Sequence, residues 1–214
     1  MQQQGFAFAR LPHEALPPGA RVLRGFVCEA GVALWAEVQR VAAAAPFRHM
    51  HTPGGRRMSV AITNCGARGW VTDRRGYRYV TEDPQGGAPW PAMPALFGEV
   101  AAAAATAAGY PDFRPDACLI NRYEPSARMT LHQDVDERDF DQPIVSVSLG
   151  LPAVFLFGGA ARGDKARRVS LQHGDVVVWG GPSRRFFHGV APLREGEHAL
   201  LGRARVNLTF RVAG

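Results

Sequence analysis

Strict alternation in the closing segment, residues 203–212, constrains the fold more than any other feature of the chain. Val206, Leu208, Phe210 and Val212 are apolar, while Arg205, Asn207, Thr209 and Arg211 between them are polar. A period of two means a strand with its two sets on opposite faces. The apolar set must face a core. The polar set faces either solvent or the interior of a closed sheet. Residues 144–151 repeat the pattern, with Val145, Val147, Leu149 and Leu151 expected on one face and Ser146 and Ser148 on the other. Residues 154–157, 168–172 and 176–179 complete a set of short strands, with a tight turn at His173-Gly174-Asp175.

Two helices precede them. Residues 31–44 are expected to bury Val32, Trp35, Val38 and Ala42 and to stop at Pro46. Residues 94–108 start with Pro94 in the first turn, bury Leu96, Phe97 and Val100, and end at a Gly109 cap. The alanine run 101–105 allows close packing on a sheet. Residues 46–92 read as loops and short strands, with turns at Pro53-Gly54-Gly55 and 83–87. The fold class that follows is α+β, mainly β. It is a double-sheet jelly roll (a double-stranded β-helix) with the N-terminal helices packed outside one sheet. A chain of 214 residues suits a single domain, 1–214, with the barrel core at 115–213.

Three scattered cysteines argue for a reduced, cytoplasmic protein and against a zinc ribbon or disulfide framework. Residues 1–10 hold no signal-peptide run, and no stretch has the roughly 20 apolar residues of a membrane helix. The net charge of +6 comes from arginine, with Lys165 the only lysine. It favours polyanionic partners, although a basic chain need not bind nucleic acid.

His132 and Asp134 stand two apart, which on a strand puts them on one face about 6–7 Å apart. With His188 from a later segment they make the two-histidine, one-carboxylate set of non-haem Fe(II) oxygenases. Five other histidines compete with His188, His173 foremost, but its Gly-Asp neighbours favour a turn. If the polar face of the last strand lines a barrel, Arg205 and Arg211 need anionic partners, and a dicarboxylate would satisfy both. Residues 118–123 alternate too and lead directly into the His-x-Asp segment. Their Leu119, Asn121 and Tyr123 share a face that can line the same cavity.

These residues resemble a known family. Residues 115–123, His132-Gln-Asp134, 145–152, 173–180, His188-Gly189 and 205–211 are closely similar to bacterial AlkB-type alkylation-repair dioxygenases. So are Met50-x-Thr-Pro-Gly-Gly55, Met58-Ser59, 63–66, Gly69-Trp70 and 89–94. The resemblance spans roughly residues 20–212. It implies a jelly roll using Fe(II), 2-oxoglutarate and O2. His132, Asp134 and His188 fall on the iron-ligand positions. Leu119, Asn121, Tyr123, Arg205, Asn207 and Arg211 fall on the cosubstrate positions. The implied reaction oxidises an N-methyl group of a base such as 1-methyladenine or 3-methylcytosine, releasing succinate, CO2 and formaldehyde.

The resemblance also gives residues 46–92 a role as a nucleotide-recognition lid. Seven arginines between Phe47 and Arg78 face one acid, Asp73, with Trp70, Tyr77 and Tyr79 interleaved. Thr52, Met58, Trp70, Tyr77, Arg78, Tyr79, Arg128, Asp136 and Arg162 fall on substrate-contact positions. The bland alternative for Asp136 is a turn in a solvated acidic stretch, 136–141. The pattern departs from the family at Arg56, where an aromatic is usual, and at Val135, where a lysine is usual. The expected partner is alkylated single- or double-stranded DNA, with RNA as a further substrate, and no membrane. The expected state is a monomer. The competing readings are an oxygenase acting on protein or lipid, and a silent module that only grips single strands.

Overall fold

A computed structural model describes residues 13–214; the N-terminal reading for residues 1–10 lies outside the described residues. Seven strands form the major sheet, in the order β1 (His13–Ala15), β2 (Ala20–Leu23), β11 (Val176–Trp179), β8 (Ile144–Gly150), β13 (Arg205–Arg211), β6 (Ala117–Tyr123) and β3 (Ala61–Gly66). Four form the minor sheet, β10 (Arg167–Leu171), β9 (Ala153–Phe157), β12 (His188–Val190) and β7 (Met129–His132). A separate hairpin joins β4 (Gly69–Asp73) to β5 (Gly76–Val80). Every pairing is antiparallel.

Helices α1 (Gly31–Ala44) and α2 (Ala95–Ala107) pack on the outer face of the major sheet. Val145, Val147 and Leu149 of β8 and Val206, Leu208 and Phe210 of β13 meet them there. In α2, Ala101, Ala104 and Ala105 are fully buried, because side chains no larger than a methyl let the helix axis approach the sheet. The second core lies between the two sheets and includes Ile144, Phe155, Phe157, Leu171 and Trp179.

Four local expectations are corrected. In α1 the buried stripe is Leu34, Val38 and Val41, while Val32 is 68% exposed. Trp35 is partly buried against the core and Val38 is common to both sets, so the apolar stripe is rotated by roughly a quarter turn from the one expected. Pro94 is the cap residue rather than the first helical one, its extended ψ of 141° setting the chain outside the helix. Leu151 joins the core between the sheets, not the one under the helices. Gly150, at φ +88°, breaks the alternation one residue earlier. Finally, β6 does not run into the His-x-Asp segment. Residues 124–128 intervene, and β6 and β7 belong to different sheets.

Candidate active site

The polar face of β13 looks inward. Arg205, Asn207, Thr209 and Arg211 line a cavity between the sheets, together with Leu119, Asn121 and Tyr123 of β6 and Ser146 of β8. His132 and His188 enter from the minor sheet, where they are directly paired across β7 and β12. Asp134 does not lie on that strand; β7 ends at His132. The spacing argument from strand geometry therefore fails, yet the turn out of β7 carries the carboxylate back to the same point. Its Oδ1 is 3.6 Å from His132 Nε2 and its Oδ2 is 3.7 Å from His188 Nε2. The three ligating atoms lie within 4.8 Å of one another.

Both imidazoles are oriented for a metal. Each directs Nδ1 at a backbone carbonyl two residues back, His132 at Thr130 O (2.9 Å) and His188 at Phe186 O (3.0 Å). A carbonyl only accepts, so Nδ1 carries the proton and Nε2 keeps its lone pair for an ion. Burial, and then His132, push the His188 pKa down to about 4, so its ring is neutral at physiological pH. Burial alone would raise the Asp134 pKa, but Arg211, followed by the two histidines, holds it well below the usual carboxylate range. One carboxylate and two imidazole nitrogens suit a divalent cation such as Fe(II).

The two arginines of β13 differ. Arg211 donates to Asp134 Oδ2 from Nη2 (2.6 Å) and Nε (3.0 Å). Arg205 is 1% exposed and spends only Nη2, on Ser148 Oγ at 2.9 Å. Its Nε and Nη1 have no partner, and neither does the buried Oδ1 of Asn121. A buried cation with idle donors costs on the order of 1–3 kcal/mol per unmade bond, which a carboxylate in the cavity would recover. Tyr123 stacks under the Arg205 guanidinium at 5.1 Å. Asn207 is held by Ser146 Oγ (2.7 Å) and Val147 O (2.9 Å) and orients Thr209 (2.8 Å). A set that could hold a metal ion and donors open to a carboxylate thus meet at one cavity.

The other candidate contacts are spread over the hairpin and its surroundings. Trp70 stacks on Tyr77, centroids 5.6 Å apart and planes 16° from parallel. Its indole Nε1 donates to Asp136 Oδ2 at 2.7 Å. Met58 packs at the edge of the inner core. Arg128 is exposed beside Ser59, whose Oγ accepts from its backbone N–H. Thr52 accepts from the Arg56 N–H within its loop. Arg162 lies over Phe187 (4.9 Å) and donates to Leu131 O (2.8 Å) at the end of β7. Arg78 is engaged in a two-pronged pair with Asp73 (2.8 and 2.9 Å). Tyr79 turns its hydroxyl inward, onto Glu137 Oε1 at 2.7 Å. Arg48, one of the lid's seven arginines, is paired with Asp83, an acid beyond the 47–78 segment (2.5 and 2.6 Å). His173, the rival ligand, accepts from Gly150 N at 3.0 Å and stacks on His198, away from the triad.

Sequence reasoning missed Glu137, Arg184 and Trp179. Glu137 sits in the supposedly solvated acidic stretch but is 5% exposed. No periodicity marks it, because the segment is neither helix nor strand. Trp179 does sit in a legible strand. Its ring lies 4.9 Å from that of His188, and its Nε1 is unpaired.

Comparison with known proteins agrees with this geometry. A family model described as the 2OG-Fe(II) oxygenase superfamily matches residues 19–211. The alpha-ketoglutarate-dependent dioxygenase AlkB of Escherichia coli (strain K12) is 58% identical over 209 residues, covering 98% of this chain and 97% of the relative. The chain belongs to the 2OG-Fe(II) oxygenase superfamily, and within it to the AlkB dioxygenases. An AlkB homologue of Caulobacter vibrioides is 46% identical over 170 residues, 79% of this chain and 76% of the relative. The solved structure of OsALKBH1 superposes with a TM-score of 0.83 at 31% identity, covering 94% of this chain and all of that one. As an AlkB dioxygenase the chain uses Fe(II), 2-oxoglutarate and O2. The His132–Asp134–His188 set and the idle donors of Arg205 fit that requirement.

Proposed function

We propose that this AlkB dioxygenase removes alkyl groups from the bases of nucleic acid, directly reversing alkylation damage. Substrates of the 1-methyladenine and 3-methylcytosine type, in single- or double-stranded DNA and in RNA, fit the site. The observation that carries the reading is the Trp70–Asp136 hydrogen bond. It sets a stacking surface, backed by Tyr77, beside a carboxylate only two residues beyond the iron ligand Asp134. These lesions are cationic at neutral pH. Trp70 occupies Asp136 Oδ2, which leaves the other carboxylate oxygen to accept from a base amino group, and Trp70 offers a π face. The exposed arginines Arg56, Arg57, Arg74 and Arg75 suit phosphates. Residues 46–92 serve as the nucleotide-recognition lid in this reading, except that β3 within them is an edge strand of the barrel.

His132, Asp134 and His188 would hold the iron, and Arg205, Asn121 and Tyr123 one carboxylate of 2-oxoglutarate, with Arg211 and Asn207 near the other. The bound iron and cosubstrate supply the oxidising power. The protein orients Nε2 of each imidazole, keeps the ligand carboxylate ionised, and shields the cavity between two sheets. Among the described residues no helix is long and apolar enough to cross a membrane. A monomer acting in the cytoplasm suffices for this chemistry, since one chain supplies all three ligands.

The test is anaerobic protein loaded with Fe(II), 2-oxoglutarate and a 3-methylcytosine oligonucleotide, then exposed to O2. Formaldehyde release is expected, falling by at least about 1,000-fold in Asp134→Ala, in line with the loss of an essential group. Succinate without formaldehyde would point to a different substrate.

A further inference from the structure

Four charged side chains meet behind the metal ligands. Asp134, Glu137, Arg184 and Arg211 are all buried, two carboxylates against two guanidiniums. Arg211 is shared between Asp134 Oδ2 at 2.6 Å and Glu137 Oε1 at 3.2 Å. Arg184 reaches Glu137 Oε2 at 3.2 Å and also donates to the backbone carbonyls of Asp134 (3.0 Å) and Gln142 (2.9 Å). The remaining donor on Glu137 is the Tyr79 hydroxyl, at 2.7 Å. Arg184 and Arg211 belong to the barrel, whereas Tyr79 belongs to β5 of the separate hairpin. Tyr79 pairs across that hairpin with Trp70. Asn64 of β3 holds the Trp70 backbone by two hydrogen bonds of 3.0 Å, so Tyr79 governs how the far side of the aromatic surface is seated.

We propose that Glu137 is a positioning residue that links cosubstrate occupancy to the seating of the β4–β5 hairpin, acting through Tyr79. The proposal rests on the reading of Arg211 as a cosubstrate arginine and of the hairpin as the nucleotide-facing element. A carboxylate entering the cavity competes for the Arg211 guanidinium, which otherwise serves Asp134 and Glu137. Glu137 then depends more on its other donors, and a buried carboxylate short of hydrogen bonds is costly. Of those donors, Tyr79 comes from the hairpin, so cosubstrate binding strengthens the hold of the existing Tyr79–Glu137 bond on the hairpin. Linkage makes the effect mutual: a nucleotide that seats the hairpin satisfies Glu137 and frees Arg211 for the cosubstrate. This arrangement ties the oxidising half of the reaction to the presence of its target.

The experiment uses the full chain with Fe(II) under anaerobic conditions. Cosubstrate affinity is read from the visible absorption of the iron–2-oxoglutarate chelate, with and without a 3-methylcytosine oligonucleotide. Hydrogen exchange of amides 69–80 is followed with and without 2-oxoglutarate. The wild type is expected to bind 2-oxoglutarate about tenfold more tightly with the oligonucleotide present, equivalent to about 1.4 kcal/mol of coupling. Its hairpin amides should exchange more slowly when 2-oxoglutarate is bound. Tyr79→Phe, which removes one oxygen atom, should lose most of both effects, and Glu137→Gln should do the same. Full retention of both effects in Tyr79→Phe overturns the proposal, as does a wild type that binds both ligands without mutual influence. If the wild type does not bind the oligonucleotide, the functional reading fails instead. In that case the response of the hairpin amides to 2-oxoglutarate still decides the link.

Discussion

Arg205 and Arg211 leave one strand on one face but stand in opposite electrostatic situations, and substitution should separate them. Arg205 is buried with two idle donors, whereas Arg211 neutralises Asp134 and Glu137. Arg205→Met is expected to weaken 2-oxoglutarate binding by about 100-fold or more, measured by titration. The melting temperature of the ligand-free protein should hold or rise, because an unsatisfied buried cation is removed. Arg211→Met should instead destabilise the ligand-free protein by about 3–5 kcal/mol in urea unfolding, because it strands the buried Asp134 carboxylate and leaves Glu137 with Arg184 and Tyr79 alone. A pH effect follows from His188. Its pKa lies at about 4 in the fold, against an ordinary 6.5. Between those values the unfolded chain takes up a proton that the fold refuses, so stability falls as pH drops through this window. The slope is roughly 1.4 kcal/mol per pH unit, and the loss levels off below about pH 4. Urea unfolding of the iron-free protein at pH 7 and pH 5 checks this, with His188→Gln losing that share of the slope.

At the level of elements, glycine marks where local rules bend. Gly150 ends β8 at φ +88°, and a Cβ there would lie 2.4 Å from Ala204 O. Gly150→Ala is therefore expected to cost about 2 kcal/mol or more in thermal melting. Gly54→Ala, with nothing within 4 Å, should stay within about 0.5 kcal/mol of the wild type. The same glycine explains why Leu151 was misplaced: period-two reading holds only while the backbone stays extended. Where periodicity governed, the elements were legible. Both helices, β11 and the inward face of β13 follow from alternation and punctuation alone. The face of α1 was not, because its residues are apolar nearly all round, and neighbours rather than pattern decide which side is buried. His132 and Asp134 were found as a pair, but through a strand that stops at His132. Glu137 was illegible because its burial depends on Arg184, 47 residues away, closing over an irregular turn.

Across the whole molecule, two antiparallel sheets enclose a cavity that receives two histidines of a potential metal-holding set from the smaller, the third member coming from the turn after it, and a cationic wall from the larger. Helices cover the outer face of the larger sheet, so the barrel needs no other support there. The hairpin stands beside this frame and is tied to it by Asn64 of β3, which bonds the Trp70 backbone twice, by Val71 in the inner core, and by two side-chain bonds to the turn after β7, Trp70 to Asp136 and Tyr79 to Glu137. Mass spectrometry of a 3-methylcytosine oligonucleotide after reaction tests the central claim most directly. With Fe(II), 2-oxoglutarate and O2 together, the oligonucleotide should lose one methylene in mass, and omitting any one of them should abolish the change. Consumption of 2-oxoglutarate at full rate with the oligonucleotide mass unchanged would contradict the account.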